Sequence, residues 1–182
     1  GLPVALTRWV TRCPSYSTYL LRQSYRASIL PSSLSILGMW GVAFLMEYDS
    51  ATLEIITVLS VAIPLYTLTT ITEAVIKGRE QMHLIPVGNL CGNLFLVTGT
   101  SVLLLQGFGV LAVAYVVVCS KIATLLVIQS LYRNNVAGSV QRVRQSGSFL
   151  KLLPRAFVFF GIDGLQAINA SVLVLLLSKI GG

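Results

Sequence analysis

The chain has 182 residues, of which 55% are apolar, 10% charged and 9% aromatic, with a mean hydropathy of +0.82. A soluble domain runs about 45–50% apolar and about 25% charged, so composition excludes a soluble globular protein. The net charge of +7 would suggest nucleic-acid binding in a soluble chain. Here the cations collect at the ends of apolar runs, a pattern that belongs to loops facing anionic lipid, and no nucleic-acid partner is expected.

The first apolar stretch, Gly1 to Val10, is too short to cross a bilayer and no basic segment precedes it. It reads as the tail of a truncated helix. Since the sequence also stops just after an apolar helix, the whole reads as a piece of a longer protein. Five complete spans are expected, near 27–46, 53–76, 84–105, 110–132 and 152–178. Each is close to the ~20 residues that a ~30 Å hydrocarbon core requires.

The connections alternate in charge. Arg8, Arg12, Arg22 and Arg26 lie in 8–26, Lys77 and Arg79 in 77–83, and Arg133, Arg142, Arg144 and Lys151 in 133–151. The intervening connections, 47–52 and 106–109, hold no Lys or Arg, and the first holds Glu47 and Asp49. This alternation places the basic connections in the cytoplasm. Gln106-Gly107-Phe108-Gly109 reads as a tight outer turn with positive φ at its glycines. Helices 84–105 and 110–132 are therefore expected to be neighbours. Residues 133–149 form the longest polar stretch and mark a boundary between two bundles.

Within the spans, Thr57, Ser60, Pro64, Thr67 and Thr70 predict a kinked helix with its polar side inward. Gly88, Gly92 and Gly99, with Asn89, Asn93 and Thr100, make one face that predicts close helix packing. Glu73, Lys121, Arg155 and Asp163 are the ionisable candidates inside the membrane. Such charges are costly in hydrocarbon and usually face a bundle interior or a wet cavity. Lys121 and Asp163 come out near mid-depth, Glu73 and Arg155 near the inner edge. At ~100° per residue, Arg155, Asp163, Gln166 and Asn169 share one arc of about 120°, a polar stripe suited to a cavity wall.

Cys13, Cys91 and Cys119 are isolated, with no Cys-x-x-Cys and the single His83, so neither a disulfide framework nor a metal site is expected. There is no Gly-x-Ser-x-Gly, no phosphate-binding loop and no paired catalytic carboxylates. The expectation is a protein that is not an enzyme and needs no cofactor.

With spans and loops in place, the sequence resembles the polysaccharide (oligosaccharide-lipid) flippases, the Wzx-like branch of the multidrug/oligosaccharidyl-lipid/polysaccharide (MOP) transporter superfamily. Gly1-Leu2-Pro3-Val4-Ala5-Leu6-Thr7-Arg8 resembles the end of that family's second helix, and Ala74-Val75-Ile76-Lys77-Gly78-Arg79-Glu80-Gln81-Met82 the loop after its fourth. Gly109-Val110-Leu111-Ala112-Val113-Ala114 is similar to the opening of the sixth, and Phe149-Leu150-Lys151-Leu152-Leu153-Pro154 to the start of the seventh. The order and spacing of these segments carry the resemblance. Asn169 stands where family members commonly have an acidic residue, so that role is not carried to Asp163.

The resemblance implies an all-α polytopic transmembrane bundle. Residues 1–132 would be most of the N-terminal lobe without its first helix, 133–149 a cytoplasmic inter-lobe linker, and 150–182 the first helix of the C-terminal lobe. It implies a bacterial inner-membrane transporter that flips an isoprenoid-diphosphate-linked oligosaccharide for O-antigen, capsule or exopolysaccharide synthesis. Its partners would be the bilayer, the lipid-linked oligosaccharide and other polysaccharide-assembly membrane proteins. Lys121, Arg155 and Arg8 are the cations available to the diphosphate. A multidrug or metabolite antiporter of the same superfamily would use Asp163 or Glu73 for ion coupling. A glycosyltransferase or polymerase acting on the same lipid is an alternative of another class.

Overall fold

A computed structural model describes residues 2–45 and 48–135, and these are helices joined by short turns, with no strand among them. The helices are α1 (Leu2–Arg12), α2 (Ser17–Leu45), α3 (Ser50–Ser60), α4 (Ala62–Gly78), α5 (Leu84–Leu105) and α6 (Val110–Asn135). Four units are long and apolar enough to cross a bilayer: Pro14–Leu45, the joined Ser50–Gly78, Leu84–Leu105 and Val110–Asn135. They coincide with the first four expected spans; the fifth, 152–178, lies outside the described residues. The protein is an all-α bundle of membrane-spanning helices.

The first span begins well before the expected Ala27. A short 3-10 turn at Pro14–Tyr16 leads directly into α2 at Ser17, so the expected connection 11–26 is mostly helix. Arg22, Gln23, Ser24 and Arg26 are all compatible with a helix and no breaker stands among them. At 1.5 Å per residue the 29 residues of α2 extend about 43 Å, beyond a ~30 Å apolar layer, and its first turns carry Arg22 and Arg26 to the rim.

The second span carries its disturbance as an interruption of the hydrogen-bond ladder at Val61, whose backbone stays helical at φ −65° and ψ −25°, within one continuous span Ser50–Gly78. Pro64 has no N–H to give the Ser60 carbonyl, and α3 ends at Ser60 while α4 starts at Ala62. The Val61 N–H turns to the Val58 carbonyl at 3.2 Å. This frees the Thr57 carbonyl, and the Ser60 hydroxyl takes it at 2.6 Å. The other hydroxyls of this span also bond back into their own helix, Thr67 to Ile63 at 3.0 Å and Thr70 to Thr67 at 2.9 Å.

Both α4 and α5 end in the same six-residue hydrogen-bonded stop. After α5, Phe108 N–H reaches the Leu103 carbonyl and Gly107 N–H the Leu104 carbonyl, each at 3.0 Å, with Gly107 at φ +78°. Glycine suits this left-handed seat; Gly109 is not in that conformation. After α4, Gln81 N–H reaches Ile76 at 3.2 Å and Glu80 N–H reaches Lys77 at 3.0 Å. Here the left-handed seat, at φ 61°, is filled by Glu80.

Polarity is distributed inside out. Ser17, Ser24, Ser28 and Ser32 of α2 are buried, as are Ser60, Thr69, Thr72, Ser120 and Thr124. Leu30, Leu34, Leu37 and Phe44 of α2 and Leu90, Leu94, Phe95 and Leu105 of α5 are exposed. Lipid gives no hydrophobic drive between helices, so small residues that permit close approach share the interior with a cluster around Ile71, Val75, Ile76 and Ile128, while other bulky apolar side chains face the tails. The antiparallel α5 and α6 pack most closely. A Cβ at Gly88 would collide with the Ile128 side chain, one at Gly92 with Thr124, and one at Gly99 would stand 2.9 Å from Val116 Cγ1.

Candidate functional site

Three hydrogen-bonded side chains set the heights of α2, α4 and α6. Tyr25 Oη lies 2.5 Å from Thr72 Oγ1 and accepts from Gln129 Nε2 at 3.4 Å. Helices α4 and α6 run in the same direction, because the last turn of α6 meets the first of α2 through Tyr132 Oη and Thr18 Oγ1 at 3.1 Å. Gly78, the last residue of α4, meets the end of α1, where a Cβ would stand 2.9 Å from the Thr7 carbonyl oxygen. Counting eight residues back from Thr72 and from Gln129 reaches Pro64 and Lys121. Both therefore sit about 12 Å deeper than the Tyr25 cluster and level with each other.

Lys121 is thus level with Pro64 of α4. It is half-buried, and its helical offsets of four, seven and eleven place it on the face of Leu125, Ile128 and Tyr132, all buried. No acceptor lies within ion-pair distance of it among the described residues. A half-buried ammonium at mid-helix, level with Pro64, is costly in hydrocarbon. It suits the holding of an anionic group.

Glu73 is not that group. It lies nine residues nearer the C-terminal end of α4 than Pro64, about 13 Å away along the axis. Its Oε1 accepts from Asn89 Nδ2 at 3.2 Å and its Oε2 is 3.9 Å from Lys77 Nζ. Asn89 thereby ties α5 to α4, whereas Asn93, one turn on, is exposed.

Arg8 also stands apart from Lys121. It belongs to the end of the bundle where α1, α4 and α6 finish and α2 and α5 begin, about 20 Å from the Lys121 level. An open recess of about 390 Å³ there is lined, among the described residues, by Thr7, Arg8, Thr11 and Arg12. The Thr7 hydroxyl is shared between the Pro3 carbonyl at 3.0 Å and the Ala74 carbonyl at 3.1 Å, which joins α1 to α4. The Thr11 hydroxyl donates to the Thr7 carbonyl at 2.9 Å, and Arg79 donates to the Pro14 carbonyl at 3.2 Å.

Charge is sorted between the two ends. Arg8, Arg12, Arg22, Arg26, Lys77, Arg79 and Arg133 occupy the end just described, and Lys121 alone of the described cations lies away from it. At the other end Asp49 caps α3, accepting from the Thr52 N–H at 3.2 Å. The Thr52 side chain first, and then this N–H, hold its carboxyl below the usual carboxylate range.

Arg155, Asp163, Gln166 and Asn169 lie outside the described residues. Sequence reasoning did not find the Tyr25–Thr72–Gln129 cluster, the recess or the serine face of α2. The spacing of Ser17, Ser24, Ser28 and Ser32, by seven, four and four, could have shown that face. No cluster of three or more His, Cys, Asp or Glu suited to a metal occurs among the described residues. Comparison with family models, characterised proteins and solved structures finds no match for this chain.

Proposed function

We propose that this chain belongs to a membrane transporter that flips an isoprenoid-diphosphate-linked oligosaccharide across a bacterial inner membrane for surface polysaccharide synthesis. The observation that carries the reading is Lys121, a half-buried cation with no ion-pair acceptor among the described residues, level with Pro64 of α4. An unneutralised ammonium costs about 2.5–3.5 kcal/mol at mid-membrane on insertion scales, and a passing anionic group repays that cost. Near the same height Pro64 has no N–H to give the Ser60 carbonyl, which leaves a backbone acceptor without its usual helical donor. The segregation of Arg and Lys to one end supports an orientation with that end in the cytoplasm.

The antiporter reading needs a carboxylate to bind the coupling ion: both oxygens of Glu73 already face donors, and Asp163 lies outside the described residues. A polymerase needs catalytic groups in a sizeable outer connection, and the turn between α5 and α6 spans only 106–109.

The test is export of lipid-linked oligosaccharide in cells that depend on this protein. Lys121→Ala lowers export about tenfold or more, the weight of one charge-assisted hydrogen bond, at normal protein level. Lys121→Arg retains more activity than Lys121→Gln. Normal export by all three variants refutes the proposal.

A further inference from the structure

Helices α4 and α5 follow one another through a turn, yet each packs on α6 and they scarcely touch each other. The bond from Asn89 to Glu73 crosses the gap between them and fixes which faces line it. Seven residues before Glu73, on the same face of α4, is Tyr66; four residues after Asn89, on the same face of α5, is Asn93. Both side chains are exposed, and neither is hydrogen-bonded among the described residues.

Contacts on α6 give their heights. Thr72 and Gln129 meet at Tyr25, so Tyr66, six residues back from Thr72, is level with Ala123. A Cβ on Gly92 would collide with Thr124, and α5 runs against α6, so Asn93 is level with Ala123 as well. Tyr66 and Asn93 therefore face each other across the gap at one height. Lys121 lies only two residues from that height, about 3 Å along the axis. It shares a face of α6 with Ile128, whose side chain meets Gly88 of α5, so it borders the same gap.

A ring, a primary amide and an ammonium thus converge well inside the apolar layer, Asn93 being nine residues, about 14 Å, from the start of α5. Hydrocarbon offers the amide no partner, and the ring supplies a flat apolar face. A pyranose meets both needs, with a face of C–H groups for the ring and hydroxyls that donate and accept as the amide does. We propose that Tyr66 and Asn93 form the subsite for the sugar joined directly to the diphosphate, the ring against its C–H face and the amide on its hydroxyls. The proposal rests on the reading of Lys121 as the cation that holds the diphosphate, since the first sugar is the part of that substrate nearest the phosphates.

The test is calorimetric titration of the full protein in phosphatidylcholine nanodiscs with three probes. These are geranyl diphosphate, and geranyl diphosphate carrying either N-acetylglucosamine or galactose. The better of the two sugar-bearing probes binds about tenfold more tightly than the bare diphosphate, the weight of one hydrogen bond and a ring contact. Tyr66→Leu and Asn93→Leu each remove most of that gain and leave affinity for the bare probe unchanged. Tyr66→Phe keeps the ring and most of the gain, and Asn93→Gln keeps an amide and part of it, which guards against a folding defect in the leucine variants. Lys121→Gln weakens all three probes alike. Equal affinity for bare and sugar-bearing probes overturns the subsite while leaving Lys121 as the diphosphate cation. A gain that survives in both leucine variants also overturns it. Loss of the bare probe together with the sugar-bearing ones, in Tyr66→Leu and Asn93→Leu, makes these residues helix-packing positions, with the same consequence. Binding of none of the probes refutes the transporter reading itself, and the subsite with it.

Discussion

Replacing Gly92 by alanine adds one methyl group where α5 meets α6. The new Cβ would collide with Thr124 Oγ1 and stand 3.1 Å from Thr124 Cβ and 3.4 Å from the Ser120 carbonyl oxygen. Thr124 can swing its hydroxyl to another rotamer only by giving up its 2.8 Å bond to Ser120, worth about 1 kcal/mol. The Cβ contact then forces the helices apart by a few tenths of an ångström, and overpacking of this kind costs about 1–3 kcal/mol. Alanine returns about 1 kcal/mol of helix propensity. The net expectation is a loss of about 1–3 kcal/mol. Gly38 has nothing within 4 Å of a built Cβ, so the same substitution there is neutral or stabilises by up to about 1 kcal/mol. Unfolding in mixed micelles of rising SDS fraction, followed by far-ultraviolet circular dichroism, measures both. Thr124→Ala removes the offending oxygen and should relieve Gly92→Ala by about 1 kcal/mol in a double-mutant cycle. Gly92→Leu should be worse than Gly92→Ala, while Leu90→Ala, on the exposed face, stays within about 0.5 kcal/mol. If Gly92→Ala behaves like Gly38→Ala, or Thr124→Ala brings no relief, the close-approach argument fails.

Glu80→Gly removes a side chain from a left-handed seat and should stabilise the turn after α4 by about 1 kcal/mol in the same SDS titration. Tyr25→Phe loses the bonds to Thr72 and Gln129 and should cost about 0.6–1.7 kcal/mol, the range for interhelical hydrogen bonds in membranes. Asp49 has a carboxyl pKa lowered by the Thr52 side chain and N–H, so its cap is intact above the unfolded carboxyl pKa and weakens as pH falls through the lower folded value. Amide exchange at Thr52 should therefore lose protection in acid, and Asp49→Asn should remove that dependence while keeping a cap.

Hydropathy located the long helices because a run without charges can only be membrane or core. Leu84–Leu105 and the start of α6 at Val110 are bounded by turns that break both apolarity and helix, so there the two edges coincide. At Ser17 they do not: polar residues continue the helix past the apolar layer, and a pattern that reports membrane edges misses ten residues of α2. Pro64 signalled a disturbance, and the structure adds where the ladder is interrupted, at Val61, and that the Ser60 hydroxyl takes the Thr57 carbonyl there. Depth along a helix could be counted, so the height of Lys121 was readable. Its being level with Pro64 was not, since that needs the register between α4 and α6, which three separated residues, Tyr25, Thr72 and Gln129, establish.

The inside-out arrangement of side chains also sets which substitutions this bundle tolerates. In a water-soluble core the limiting property of a replacement is its polarity, and on the outer surface almost anything is accepted. Here the rule is exchanged between the two surfaces. Positions such as Ser24, Ser28 and Thr124 are restricted by volume, because a partner helix leaves no room. Positions such as Leu34, Leu37 and Leu94 are restricted by charge, because lipid accepts any apolar shape and rejects an unpaired ion. A serine exchanged for alanine at the first set and a leucine exchanged for phenylalanine at the second are then equally conservative, though a substitution scale built on soluble proteins ranks neither as such.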